Sequence, residues 1–338
     1  MSYSIRILDK SDNLALLELS KSRNTGSTLF NTERGTDFFA LSEELGQSTY
    51  FGILKNEQLI GAVGVARQMR MINGSPVPAF YIFDLKVHPD WSGKPPYYRL
   101  MHHVVAHCRD VEKAGWVFAT ILDTNENTGS LTKGAQLFPK ATLIGKNHHI
   151  GFPVFFPQKI RNRQITVKEI PAEDAWKFYL EHTKSKSFAP ADKAVFFKEN
   201  GFFLGCFSLN SMVAVTKIID QSPARNIYLT QQPPFYFRIL NLLCRYYGCP
   251  ALPKQNQEFH HGYLSYYAAS KNEDYRKAFI NYIQKKHPGK FSYLFTGMTE
   301  KEASHYRNPF LIKFTSSSYG YGALPPVLSL DVVELTLI

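Results

Sequence analysis

The chain has 338 residues, of which 44% are hydrophobic and 20% charged, a composition typical of globular proteins large enough for two domains. Its four cysteines match no zinc-binding spacing and are too few for a disulfide-rich scaffold, so we expect buried free thiols. The net charge of +11 suits an anionic partner, although the basic residues are dispersed and a solvated basic surface is the alternative. The sequence shows neither a signal-peptide pattern nor an apolar stretch of membrane-spanning length, which predicts a cytoplasmic protein.

Alternating and helical patterns follow one another along the first half in an order that predicts a mixed sheet. The predicted elements are a strand at 4–8, helices at 11–23 and 36–45, a hairpin over 50–72, a strand at 79–87, a helix at 97–115, a strand at 116–124 and a strand pair over 141–156. Consecutive antiparallel runs followed by a strand–helix–strand unit indicate a mixed sheet with helices on both faces.

The same order returns from about residue 165, which predicts an internal repeat. Its elements are a strand at 165–170, a helix at 171–185, a hairpin over 201–219, a strand at 259–269, a helix at 274–287, a strand at 290–298, a short helix at 299–308 and a closing strand at 309–319. The predicted fold class is therefore α/β (α+β), with two tandem mixed β-sheets flanked by helices. We expect domains at 1–160 and 161–338, with an insertion near 221–256.

The segment "DLKVHPDWSGKPPYYRLM", which leaves the strand at 79–87 and opens the next helix, carries the first functional signal. A loop in that position directs backbone N–H groups and the positive end of the helix dipole toward an anion. The segment resembles the cofactor-binding segment of the GCN5-related N-acetyltransferases, the GNAT family, in which a strand ending in Leu-x-Val precedes a glycine-rich loop and a helix. The element order of nearly the first 155 residues resembles that family, and the second half is similar without the motif, so the chain resembles a tandem GNAT protein.

The resemblance implies transfer of an acyl group from acetyl-CoA or another acyl-CoA to an amine on a small molecule or a peptide. Asp84 stands where the family often places a carboxylate facing the acceptor amine, and is the candidate base; a carboxylate paired with a basic neighbour is the alternative. The family's tyrosine acid has no counterpart at the expected distance after Asn127. The resemblance assigns cofactor binding to Leu85, Lys86, Val87, Gly93, Lys94, Tyr97, Tyr98, Arg99 and Asn127. Plain sheet pairing at 85–87 and a polar turn at Asn127 are the alternatives.

The loop departs from the family pattern. Pro95 replaces the second glycine and Pro96 follows it, so two backbone N–H donors are missing. Tyr97 adds a bulky side chain where the family has glycine or alanine. Lys94 and Arg99 keep positive charge. The remaining predicted backbone donors are those of Gly93, Lys94, Tyr97 and Tyr98. We therefore expect a weakened phosphate loop.

The second half contains no equivalent of this loop. Its segment "SKNED" at 270–274 lacks glycine and contains two carboxylates. Carboxylates at the start of a helix suit capping and repel a phosphate. We therefore expect this half to be non-catalytic. Adjacent histidines at 102–103, 148–149 and 260–261 resemble metal ligands. Because neighbouring side chains point apart on helices and strands alike, no metal site is predicted.

The leading hypothesis is an acyl-CoA-dependent N-acyltransferase with its cofactor site in the first half. The first alternative is a GNAT-derived binding protein that has lost CoA, motivated by Pro95, Tyr97 and the missing tyrosine acid. The second alternative is a transferase that uses aminoacyl-tRNA, since a charge of +11 suits RNA, although the basic residues form no stripe.

Overall fold

The computed structural model describes residues 3–21, 30–92, 94–123, 141–160, 164–233, 235–270 and 275–321. The strands within these ranges are β1 (Tyr3–Leu8), β2 (Phe30–Arg34), β3 (Gln47–Lys55), β4 (Gln58–Ile72), β5 (Ser75–Val87), β6 (Val117–Leu122), β7 (Ala141–Pro153), β8 (Ile165–Glu169), β9 (Gly201–Ser208), β10 (Ser211–Ile219), β11 (Arg225–Leu229), β12 (His261–Ala269), β13 (Tyr293–Met298) and β14 (Ile312–Tyr321). The α-helices are α1 (Asn13–Lys21), α2 (Ala40–Leu45), α3 (Pro95–Ala106), α4 (Ala172–Thr183), α5 (Lys193–Phe196), α6 (Tyr236–Tyr246), α7 (Arg276–Lys286) and α8 (Glu300–Ala303).

Twelve strands form one continuous sheet in the order β1-β3-β4-β5-β6-β14-β7-β13-β12-β10-β9-β8. The predicted fold class, a mixed sheet flanked by helices in each half, is confirmed, and the two predicted sheets are joined edge to edge. They join because the last strand of each half pairs into the other half: β7 pairs with β13, and β14 pairs with β6. These two exchanged strands also pair with each other, which closes the edges that two separate sheets would leave open.

Side chains alternate between two cores along β3 to β6, as the period of a strand requires. One core lies beneath α3, where Leu100 and Val104 pack against Val63 and Ile82. The side chains that point to the opposite face belong to a larger core that includes α1 and α2 and continues into the second half. The four cysteines are buried and free, as predicted.

Most predicted elements are present with shifted ends, one prediction is wrong, and two strands were not predicted. The strand pair expected over 141–156 is the single strand β7, whose thirteen residues lie between two neighbouring strands. The strands β2 and β11 were not predicted; they pair with each other and connect the halves, with Arg34 opposite Arg225. No helix in the described ranges is long and apolar enough to cross a bilayer.

Candidate active site

The pairing of β5 with β6 stops before either strand ends, and we infer an opening between their unpaired ends. These parallel strands pair only over 80–82 and 117–119, although β5 continues to Val87 and β6 to Leu122. A β-bulge at the same level of β5 shifts its register against β4, and Asp84 in the bulge adopts a positive φ of 55°. A bulge bends its strand and increases the local twist, which turns β5 away from β6. The stretch of β5 that borders the opening therefore consists of Leu85, Lys86 and Val87.

The second half repeats this combination of a short parallel pairing and a β-bulge. The parallel strands β12 and β13 pair only over 261–263 and 293–295, although β12 continues to Ala269 and β13 to Met298. The register of β12 against β10 also shifts, and Tyr266 in that bulge has a positive φ of 50°. A positive φ is costly for a tyrosine, so its recurrence at the matching position indicates that the second half repeats the local backbone of the first.

Asp84 is enclosed by basic and hydroxyl groups. Its carboxylate lies 3.0 Å from an Arg34 nitrogen and 3.1 Å from Lys86 Nζ, and it accepts a hydrogen bond of 3.2 Å from the Tyr50 hydroxyl. Only 7% of its side chain is exposed. Burial by itself raises the pKa of Asp84, but Arg34 and Lys86 outweigh burial and hold this pKa well below its ordinary value. The geometry therefore favours the alternative, in which the Asp84 carboxylate is paired with basic neighbours. The assignment of Asp84 as a base stays a prediction.

The loop before α3 uses its own backbone donors. The N–H groups of Lys94 and Tyr97 donate to carbonyls of Trp91 and Lys94, at 3.2 and 3.1 Å, and those of Trp91 and Ser92 also donate within the loop. The assignment of Lys94 and Tyr97 as backbone donors to a phosphate stays a prediction, and in this structure both N–H groups are used within the turn. The Tyr97 ring is buried in the core beneath α3.

Positive side chains instead gather around an aromatic pair at this end of α3. The ammonium groups of Lys94 and Lys55 lie 5.3 and 4.3 Å from the centroid of the Trp91 ring. The Arg99 guanidinium lies 5.9 Å from the centroid of Tyr3, whose ring meets that of Trp91 edge-on. Three cations therefore lie near the helix terminus, and their side chains can attract an anion there.

Some predicted positions lie outside the described residues: Gly93, Asn127 and the carboxylates at 273–274. They stay predictions. Tyr98 is partly buried against the core beneath α3. Within the ranges that the structure covers, no group of three or more His, Cys, Asp or Glu side chains is arranged to hold a metal ion.

The structure also reveals a buried polar cluster that sequence reasoning missed. Asn147 Nδ2 donates to the hydroxyls of Ser316 and Ser318, at 3.0 and 2.9 Å. Ser316 Oγ lies 2.7 Å from His149 Nε2, and Ser318 Oγ lies 3.0 Å from Thr120 Oγ1. Thr120 directly follows the last residue of β6 that pairs with β5, so the cluster begins beside the opening. The run "TSSSY" was the available signal, since three serines are unusual in a strand.

His149 predicts a pH dependence of stability. Burial lowers the pKa of His149 to about 3 from 6.5, with the neighbouring His148 adding to the effect. The folded protein keeps this imidazole neutral while the unfolded chain binds a proton, so stability is full above pH 6.5 and falls as the pH drops toward 3. We expect His149→Phe, which retains an aromatic ring against Phe314, to flatten the curve of unfolding free energy against pH in this window.

A second buried histidine supplies the control. Burial also lowers the pKa of His261, from 6.5 to about 4. His261→Phe should therefore flatten the same curve between pH 6.5 and 4 and leave the His149 contribution in place. Urea denaturation at a series of pH values measures both effects; a His149→Phe curve with the wild-type slope would contradict the assignment.

Comparison with known proteins identifies the first half. Residues 16–120 match the family model described as an acetyltransferase (GNAT) domain, a stretch that includes β5, the opening, α3 and most of β6. This stretch of the chain is similar to a GNAT domain. Comparison with curated protein sequences gives no match.

Solved structures resemble the whole chain, beyond this matched stretch. N-myristoyltransferase from Saccharomyces cerevisiae, solved with bound myristoyl-CoA and inhibitors, has a TM-score of 0.60 at 11% identity and covers 99% of this chain and 87% of its own. GCN5-related N-acetyltransferases from Kribbella flavida and Anabaena variabilis have TM-scores of 0.53 and 0.54 at 11% and 7% identity. Each covers 94% of this chain, and 70% and 72% of its own length. At these identities the likeness shows a shared fold.

Proposed function

We propose that the protein is an acyl-CoA-dependent N-acyltransferase that acts on an amine of a small molecule or a peptide, with acetyl-CoA as the first donor to test. The observation that carries the proposal is the early end of the β5–β6 pairing inside the stretch that matches a GNAT domain. A strand edge left unpaired in this way leaves room for an extended substrate to lie along it. The solved neighbours with bound myristoyl-CoA support an acyl-CoA donor in general.

The described residues fit the two ends of an acyl-CoA donor differently. The backbone of Leu85, Lys86 and Val87 borders the opening and suits the amide-containing arm. The loop before α3 suits backbone recognition of pyrophosphate poorly, since the N–H groups of Lys94 and Tyr97 donate within the loop. The side chains of Lys94 and Arg99 are exposed at the helix terminus and supply the charge that the phosphates require.

The chemistry needs a proton acceptor. The amine nitrogen attacks the thioester carbonyl carbon, the C–S bond breaks, and the leaving thiolate takes up a proton while the nitrogen loses one. Asp84 is the candidate from sequence, yet a carboxylate whose pKa is held far below neutrality is a weak base. The hydroxyl groups of Thr120 and Ser318, hydrogen-bonded beside the opening, are the second candidate path for this proton.

We further propose that residues 1–160 and 161–338 are two GNAT-like units that exchange their last strands. The first unit would hold the donor, and the second unit, with its bulge at Tyr266, would shape the acceptor side. The continuous core across both halves supports one rigid framework for the two roles.

A second function has an observation in its favour. The internally bonded loop at 91–97 and the two prolines that follow Lys94 suit a GNAT-derived binding protein that no longer takes CoA. Such a protein would keep the fold and the opening without the donor.

Calorimetric titration with acetyl-CoA, CoA and myristoyl-CoA separates the two functions. One-site binding in the micromolar range is the expected result and would identify the preferred acyl chain. No heat and no thermal shift with any of the three at millimolar concentration would reject acyl transfer and favour the binding protein. Amine acceptors can then be screened by release of free CoA thiol.

A further inference from the structure

The helix α6 within the insertion has two apolar faces. Phe237, Leu240 and Cys244 form its inner face and are buried in the core of the second half. Asn241 anchors the helix at both backbone groups of Leu252: its side chain accepts from the Leu252 N–H at 2.7 Å and donates to the Leu252 carbonyl at 3.3 Å. These contacts fix α6 against the body of the protein, so its outward face has a defined orientation.

The outward face of α6 is apolar as well. Six of the twelve large hydrophobic side chains that the described residues expose lie between 235 and 246. Their exposed fractions run from 36% for Leu243 to 81% for Tyr246. The six are Phe235, Tyr236, Ile239, Leu242, Leu243 and Tyr246. Their spacing of three, four and seven residues places them along one stripe of the helix, about 15 Å long.

The charges within the insertion all have the same sign. From Gln221 to Gln257 the sequence contains four basic residues and no acidic one. Two of them, Arg238 and Arg245, are exposed on α6 itself, and their separation of seven residues puts both on the same flank of the stripe. The outward surface is therefore apolar at its centre and positive along its edge.

We propose that α6 docks the protein on the surface of an anionic lipid membrane. A helix that lies in the plane of a membrane inserts an apolar face with bulky side chains and keeps cationic groups at the headgroups. Aromatic rings at both ends, Phe235 and Tyr236 at one and Tyr246 at the other, suit the boundary between acyl chains and water. The uniformly positive flank matches anionic headgroups, whereas a second copy of this surface would bring like charges together.

Vesicle co-sedimentation of the full-length protein tests the proposal. We expect the protein to bind vesicles of phosphatidylcholine with phosphatidylglycerol more tightly than vesicles of phosphatidylcholine alone. The double variant Ile239→Glu with Leu242→Glu should lose at least about tenfold in partitioning, because it places two carboxylates in the apolar stripe. Arg238→Gln with Arg245→Gln should lose about fivefold per arginine on the anionic vesicles only.

Leu14→Glu with Leu209→Glu is the matched control, since both leucines are highly exposed and lie outside α6. Its partitioning should equal that of the wild type. Absence of vesicle binding by the wild type, or equal binding by the Ile239→Glu and Leu242→Glu variant, would overturn the proposal. A concentration-dependent dimer that this variant abolishes, without vesicle binding, would also overturn it and would assign the stripe to a second copy of the chain.

Discussion

Replacing Asp84 with asparagine is expected to lower the free energy of unfolding by roughly 3–5 kcal/mol, because the change leaves Arg34 and Lys86 without their buried counter-charge. Urea denaturation at pH 7 measures the loss. The deficit should shrink in acid. The pKa of Asp84 is lowered in the folded protein, so its contribution is full above the ordinary value of 3.8 and is lost as the pH falls toward the folded pKa.

The matched control is Asp110→Asn, which removes an exposed carboxylate from its pair with Arg109 and should leave stability unchanged. An Asp84→Asn variant as stable as the wild type would contradict the ionic role. If that variant also lost its acyltransfer rate while binding donor normally, Asp84 would be the base that the resemblance implies. Stability and rate are therefore to be measured on the same preparation.

Reversing the charge of Lys94 and Arg99 together is expected to weaken acyl-CoA binding by about a hundredfold, or about tenfold per residue. The backbone N–H groups of Lys94 and Tyr97 donate internally, so the proposed site assigns recognition of the phosphates to the two cationic side chains. A charge-assisted hydrogen bond contributes roughly 1.5–3 kcal/mol, which corresponds to at least about tenfold in affinity. Calorimetry of the Lys94→Glu and Arg99→Glu double variant with the best donor gives the comparison.

The double variant Arg109→Glu with Lys113→Glu supplies the control for this charge change, since both residues are exposed cations beyond the opposite end of α3. Its donor affinity should match that of the wild type. Equal losses in both variants would show a general effect of net charge and contradict a local phosphate site. Unchanged affinity in the Lys94→Glu and Arg99→Glu variant would place the phosphates elsewhere on the protein.

The repeat and most of its elements follow from local patterns in the sequence. The hairpins at β3–β4 and β9–β10 were predicted because alternating side chains and polar turns are local signals. The Thr-x-x-Glu spacing of Thr299 and Glu302 is typical of a capping box, and both of its hydrogen bonds are present in the structure. The GNAT resemblance depended on the same local order of strand, loop and helix.

These local patterns do not predict which distant strands pair with each other. The exchange of β7 and β14 between the halves depends on which edges meet in space, and alternation within a strand does not specify its neighbour. The pairing of β2 with β11 joins residues almost two hundred positions apart, and each strand is only five residues long. Short strands with mixed polarity give little signal in a single sequence.

The sequence by itself determined the order of elements, the repeat, and the departure of the loop at Pro95 and Pro96 from the family pattern, because each is a property of neighbouring residues. Only the tertiary structure decided the surroundings of Asp84, because its partner Arg34 lies on a distant strand, β2. It also decided that the Lys94 and Tyr97 donors are already used and that hydroxyls from β6 and β14 meet beside the opening. Burial, charge pairing and hydrogen-bond satisfaction arise from contacts between distant segments, and these set the chemistry of a site.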